Sequence, residues 1–339
     1  MSAVPGGGPT IPPVSVGATR RTTSILITPH GSWANGQGVI ATGRDLRRSD
    51  GDVRTTDEQL SFDLDAAGLI VPRAGGHTLP EELRGLSAQR GLRKTVARLR
   101  AGLGDRGDDA FGPVGGLTDT LLDDVVGTCL ASGYARLYEG SAQADGGRLP
   151  SLMRLTCVGF STMDRRGEQF DVPAYFATKA PSVEFVIADP LVWHDEPPVS
   201  PGSFRRRRML QVAPMEDRRT AVTGYFRDTF VRPDGVEVVV HEYGLVAALS
   251  GDPLVLDTVE AVPGNLPLEH CPLAARSALA LGGLPVSQIE PTVRRAMAGP
   301  TGCTHLNDEL RSLRLVPALL EPDVPRRQMR TYPPSTDSV

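Results

Sequence analysis

Apolar and polar residues alternate along two long stretches, VRTTDEQLSFDLD from Val53 and VEVVVHEYGLVAAL from Val236. A period of two over that length predicts half-buried β-strands, and the Asp-Gly just before each predicts a hairpin turn. Upstream of each lies a shorter apolar strand opened by an Arg pair, RRTTSILIT at Arg20 and RRMLQVAP at Arg207. Between strand and turn stand IATGRDLRRSDG in the first half and AVTGYFRDTFVRPDG in the second, each with Thr-Gly followed by Arg-Asp. LIVP and LVLDTVEAVP extend the strand series. Helical periodicity then takes over, in PEELRGLSAQRGLRKTVARL and in PLAARSALALGG followed by EPTVRRAMAG. Each half closes with Gly-Pro-x-Gly and a short amphipathic helix, GPVGGLTDTLLDD at Gly112 and GPTGCTHLNDELRSL at Gly299.

The shared order of these features predicts an internal duplication. The expected fold class is α+β: two tandem copies of an antiparallel β-meander followed by helices, with a β-rich connector. On this reading residues 1–19 are a disordered N-terminal segment and 20–126 a first, degenerate repeat. Residues 127–204 form the connector, with RLTCVGFSTM and SVEFVIADPLVW as strands. Residues 205–320 are the second repeat, and 321–339 a disordered tail. The Arg205–Arg208 run reads as a solvated lead-in to the second copy, with a phosphate-binding patch as the sharper alternative.

Composition narrows the partners. The 36 basic residues against 40 acidic ones give a net charge of −4, which offers nucleic acid no electrostatic footing. No apolar run reaches bilayer-spanning length, and the start lacks the basic flank and apolar stretch of a signal peptide. Four cysteines in 339 residues do not make a disulfide framework. A cytoplasmic protein is expected, with no nucleic-acid or membrane partner, a small-molecule ligand as its candidate partner, and its oligomeric state open. No phosphate-binding loop, dinucleotide glycine pattern, HExxH or GxSxG is present.

Residues with chemistry gather in the second half. Cys303 and His305 stand in GPTGCTHLNDEL, where Thr304 suits an N-cap and the helix field favours the Cys303 thiolate. Cys271 precedes Pro272, a residue suited to the first helical position. His241 lies within the long strand, with Val239 and Tyr243 on its face by period two. A His/Cys/Cys/His set of His241, Cys271, Cys303 and His305 offers borderline-to-soft donors for one Zn or Fe per chain. Against this stands the plain reading of Cys271 as a small buried hydrophobe and His241 as a satisfied core histidine. His270, beside Cys271, replaces His241 if the strand histidine points into the core. Aligned copy on copy, Glu58 falls opposite His241, Leu79 opposite Cys271 and Gly116 opposite Cys303, so the ligands are missing from the first copy. Of the other polar residues, His30, His77 and His194 are expected to be exposed, and Asp123 and Asp124 to end or flank a helix.

His241, Cys271-Pro272 and Gly302–Leu306 together resemble a bacterial family known as domain of unknown function 2889, with a strand His, a Cys-Pro before a helix and a terminal Gly-Cys-Thr-His-Leu. LLDD at Leu121 and SGYA at Ser132 resemble the family's longer members. The resemblance implies no established activity; it associates the chain with acyl or aromatic-compound catabolism. In the order of its candidate ligands the chain is also distantly similar to iron–sulfur cluster assembly scaffolds, with a His in place of the first Cys and the last His/Cys pair reversed.

Three functions follow, and whether the chain is an enzyme is left open among them. The first is a metal-binding protein, with a metalloenzyme as its extension. The second is a metal-free enzyme in which Cys303 is nucleophile and His305 base on a small acyl substrate. The third is a structural or partner-binding protein without catalysis.

Overall fold

The computed structural model describes residues 9–73, 79–103, 111–140, 155–168, 171–187 and 189–321. The strands are β1 (Thr10–Ile11), β2 (Thr19–His30), β3 (Ser32–Ser49), β4 (Asp52–Leu64), β5 (Ile70–Pro72), β6 (Val186–Ile187), β7 (Phe204–Pro214), β8 (Thr220–Val231), β9 (Glu237–Ser250) and β10 (Val255–Pro263). The helices are α1 (Leu92–Leu103), α2 (Leu117–Ala131), α3 (Gly133–Glu139), α4 (Val158–Arg165), α5 (Val172–Thr178), α6 (Val286–Ala296), α7 (Thr304–Arg311) and α8 (Val316–Leu320). A long 3₁₀ helix runs over Cys271–Leu281.

The fold is α+β. Two four-strand meanders, β2 to β5 and β7 to β10, join through the antiparallel pair β2–β7 into one eight-stranded sheet, ordered β10-β9-β8-β7-β2-β3-β4-β5. Both halves therefore have the same strand order, running outward in opposite directions from the central pair. The Asp-Gly turns form as expected. Gly51 and Gly235 adopt φ of 75° and 83°, a region closed to most side chains. Helices cover one face of the sheet over two apolar cores, one centred on Ile25, Phe62 and Leu121, the other on Phe226, Leu245 and Leu310.

The other face is closed by segments that the sequence reading left unstructured or solvated. Residues 9–18 of the expected disordered segment are placed: β1 pairs in parallel with β6, and Ile11 and Val14 pack with Trp193, Met209 and Tyr225. Residues 1–8 and 322–339 lie outside the described residues. In the connector, RLTCVGFSTM is helical instead of extended from Val158 on, within a helix that runs to Arg165, and SVEFVIADPLVW contributes the two-residue β6. α2 runs through the position where repeat and connector were divided.

The Arg205–Arg208 run is neither solvated nor free for phosphate. All four side chains are buried in β7 and alternate between the two faces, as a strand requires. Arg205 and Arg207 reach Glu237, Glu196 and Glu184 on one side. On the helix side Arg206 forks onto Asp228 at 2.7 and 2.9 Å and reaches Asp308 at 3.1 Å, while Arg208 meets Asp124 and the Asp308 carbonyl. Burying a guanidinium is costly unless carboxylates surround it, and here they do. Asp123 and Asp124 sit inside α2, where they answer Arg93, Arg311 and Arg208. His194 is buried against Thr22, with its Nδ1 2.8 Å from the threonine hydroxyl. His30 is exposed as expected, and His77 lies outside the described residues.

Candidate metal centre

Three cross-strand neighbours build the floor of the centre. Arg206, Asp228 and His241 lie side by side on β7, β8 and β9. The register slips between Asp228 and Thr229, a bulge that resets the pleat of β9. Val238 and Val240 therefore pack into one helix-covered core and Tyr243 into the other, whereas Val239 is taken off the face on which period two had put it. His241 stays at the junction of the two cores. Its Nδ1 is 3.2 Å from Asp228 Oδ2, a carboxylate whose burial would raise its pKa but which the Arg206 guanidinium holds well below the usual range. The carboxylate is therefore ionised and accepts a hydrogen bond from the Nδ1–H of His241. That tautomer leaves Nε2 with its lone pair, as in a carboxylate–histidine–metal relay. No other hydrogen bond of this ring occurs among the described residues.

α7 supplies the roof. Cys303 is its N-cap, making Thr304 the first helical residue and not the cap expected. His305 lies over His241, the rings stacked with centroids 3.4 Å apart and 18° between planes. Two imidazolium ions could not stack so closely. Burial lowers the pKa of both, His305 the more because His241 stands against it, so both are neutral at pH 7. Neutral imidazole is the form that binds metal. Donor atoms of Asp228, His241 and His305 lie within 4.8 Å of one another.

Cys303 Sγ is 4.0 Å from His305 Nδ1. The backbone N–H groups of Leu306 and His305 and the Tyr243 hydroxyl also address this sulfur. Those donors favour a thiolate, but burial outweighs them and pushes the thiol to about 11, so the helix field does not ionise it alone. Cys271, at the start of the 3₁₀ helix, is pushed by burial and by Cys303 to about 12. Tyr243 spans both: its one hydroxyl proton can go to the Cys303 sulfur or to the Cys271 carbonyl, 3.3 Å away, but not to both at once. His241 and His305 thus come into direct contact and Cys303 stands beside His305, Cys271 lies one tyrosine away, and neither sulfur belongs to the group of donors within 4.8 Å of one another. His270 faces elsewhere, with Glu168 and Glu269 at the surface.

Sequence reasoning passed over Asp228, although its Arg-Asp step had been noted in both halves. It also passed over Tyr134 of α3, from the SGYA step, whose ring meets His241 edge-on at 5.1 Å. The register also corrects the copy-on-copy alignment. In the first meander Arg21, Asp45 and Thr56 form the row that Arg206, Asp228 and His241 form in the second, so Thr56 and not Glu58 stands in the place of His241. Arg21 forks onto Asp45 at 2.6 and 2.7 Å, as Arg206 does onto Asp228. Gly116 N-caps α2 where Cys303 N-caps α7, in keeping with that part of the alignment.

A groove of about 770 Å³ lies elsewhere, between Asp252, Glu290, Arg294 and Pro317. No helix among the described residues is long and apolar enough to cross a membrane.

No curated protein and no solved structure matches the chain. Nothing found supports the likeness to iron–sulfur scaffolds. The resemblance carried by His241, Cys271-Pro272 and Gly302–Leu306 holds: residues 204–318, from β7 into α8, match the family described as protein of unknown function (DUF2889).

Proposed function

We propose that the protein binds one transition-metal ion, Zn²⁺ or Fe²⁺, at the second meander, with His241 and His305 as nitrogen ligands, Cys303 as the adjacent thiol and Cys271 behind it. Asp228 orients His241. The observation that carries this reading is the pair of stacked neutral imidazoles, one of them fixed in tautomer by a buried carboxylate. A core histidine needs only its hydrogen bonds satisfied; it does not need a second imidazole against its face. The donor set suits a borderline cation rather than Mg²⁺ or Ca²⁺. A bound ion would also compensate ionisation of Cys303, whose waiting donors otherwise stabilise a charge that is not there.

The thiol–imidazole alternative is weaker. A nucleophile whose thiol is pushed to about 11 and a base whose pKa burial depresses give little thiolate at pH 7. We also read the two meanders as copies of one unit that has kept the Arg–Asp fork in both halves and donor side chains in one.

The test is a Co²⁺ titration of the metal-depleted full chain followed by visible absorption. His241→Ala and His305→Ala should each weaken binding by at least about tenfold. Unchanged affinity in both variants overturns the reading.

A further inference from the structure

Both ends of α4 pack on the chain that leads into the 3₁₀ helix. At its start Cys157 is the N-cap, and Val158 N–H donates at 2.8 Å to the carbonyl of Gly302, the residue before Cys303. Gly159 then backs directly onto Cys271. A β-carbon there would sit 2.7 Å from Cys271 Sγ, so only glycine lets α4 approach this closely. At its end Gly167 takes a φ of 68°, and the N–H groups of Gly167 and Glu168 close the helix onto the Asp164 and Met163 carbonyls. That turn holds Glu168 beside Glu269 and beside His270, the N-cap of the 3₁₀ helix.

Three donors meet there. His270 Nε2 lies 3.1 Å from Glu269 Oε1 and 3.7 Å from Glu168 Oε2, and donor atoms of all three residues lie within 4.8 Å of one another. A cation about 2.1 Å from each donor sets neighbouring donors about 3–3.5 Å apart, so little movement separates this cluster from a coordination sphere. The imidazole nitrogen itself points to an ion. It is sealed from solvent and makes no hydrogen bond among the described residues, since the Glu269 oxygen lies off the direction of an N–H. In a neutral ring its lone pair would face two carboxylates. A cation between the three groups turns that repulsion into attraction. Arg166 neutralises the cluster only from outside: its Nη1 is 3.5 Å from each carboxylate, and its side chain is more than half exposed. Two carboxylates and one guanidinium leave a net charge of −1.

We infer that His270, Glu269 and Glu168 form a second site, for a divalent first-row cation, which clamps the connector to the second half. One imidazole and two carboxylates make a harder donor set than the one around His305, and they suit Mn²⁺ ahead of a thiophilic ion. The site stands apart from the His241–His305 centre and does not depend on it. Glu168 lies outside the matched residues 204–318, whereas Glu269 and His270 lie within them. The ion therefore ties the end of α4 to the entry of the 3₁₀ helix, one residue before Cys271.

The test is a Mn²⁺ titration of the metal-depleted full chain, with the free ion read by electron paramagnetic resonance. The wild type should take up about one Mn²⁺ per chain, and pulsed spectra of the bound ion should show a single imidazole nitrogen. Glu168→Gln and Glu269→Gln, both at exposed side chains, should each weaken binding by about tenfold or more, and His305→Ala should leave it unchanged. Undiminished binding in both Gln variants overturns the inference. Binding lost in His305→Ala, or two imidazole nitrogens on the ion, also overturns it and assigns Mn²⁺ to the stacked pair. A wild type that takes up no Mn²⁺ at millimolar concentration removes the second site, while the Co²⁺ titration still decides the first.

Discussion

Glu309 reports how α7 is seated on the sheet. Its side chain is fully buried against Gly224 of β8, where a β-carbon would run into the carboxylate, and neither carboxylate oxygen has a hydrogen-bond partner among the described residues. The nearest cation, Arg208, stands 3.8 Å away and is already engaged with Asp124 and the Asp308 carbonyl. Burial, opposed by Arg208 and reinforced by Asp124, raises the Glu309 pKa from 4.5 to about 7. The folded state therefore holds this proton more tightly than the unfolded chain. The stability it contributes is complete below pH 4.5 and is lost as pH rises through about 7, above which the fold carries an unpaired buried charge. The span from 4.5 to about 7 corresponds to about 3 kcal/mol. Glu309→Gln keeps the shape and abolishes the ionisation. In urea unfolding at pH 8.5 the variant should be more stable than wild type by about 2–3 kcal/mol, and at pH 5 by less than about 1 kcal/mol. A variant no more stable at pH 8.5, or shifted equally at both pH values, would refute the reasoning and mean that Arg208 satisfies the carboxylate.

Asp228→Ala strips Arg206 of its fork and His241 of its anchor, and should cost about 3–5 kcal/mol by urea unfolding; a loss below about 1 kcal/mol would show that Asp308 alone neutralises the guanidinium. Gly159→Ala should destabilise by about 1–3 kcal/mol through its clash with Cys271. Adding Cys271→Ala should recover most of that loss, and strictly additive losses would contradict the contact. Burial lowers the pKa of His194 to about 4 and depresses His241 and His305 as well. Below pH 6.5 the unfolded chain takes up protons that these rings refuse, so stability falls with acidification through that window. His194→Gln should relieve about 2 kcal/mol of the loss between pH 6.5 and 5; an unchanged pH slope would place that proton elsewhere.

What could be read in advance followed local physics. Alternation in Val53–Asp65 and Val236–Leu249 needs only a sheet with one covered face, and Asp50-Gly51 and Asp234-Gly235 carry their own turn geometry. Cys303 and Cys271 at helix starts were legible because Gly-Pro and Cys-Pro are neighbours in sequence, whereas Asp308 and Glu309 fall beyond the first turn of α7. Pairings across the sheet were not. A run such as Arg205–Arg208 reads alike whether solvated or buried, until Asp228, 22 residues on, and Asp308, 102 residues on, are found against Arg206. Likewise nothing near Tyr134 or Cys157 signals that α3 and α4 fold back onto β9 and α7. Gly127 shows how deep that coupling goes: a β-carbon there would meet Arg206 and Asp308, so a helix of the first half is shaped around the buried ion pair of the second. Short apolar segments such as SVEFVIADPLVW misled because they cover the far face of the sheet with little strand pairing of their own.

The central claim is that a metal ion occupies the place where α7 lies on β9. It is tested most directly by elemental analysis of the full chain, expressed without a polyhistidine tag and purified anaerobically, beside the Cys303→Ala variant handled identically. The wild type should carry about one Zn or Fe per chain and the variant only a small fraction of that. A wild type free of both metals, whose thermal stability is unmoved by added Zn²⁺ or Fe²⁺, would contradict the account.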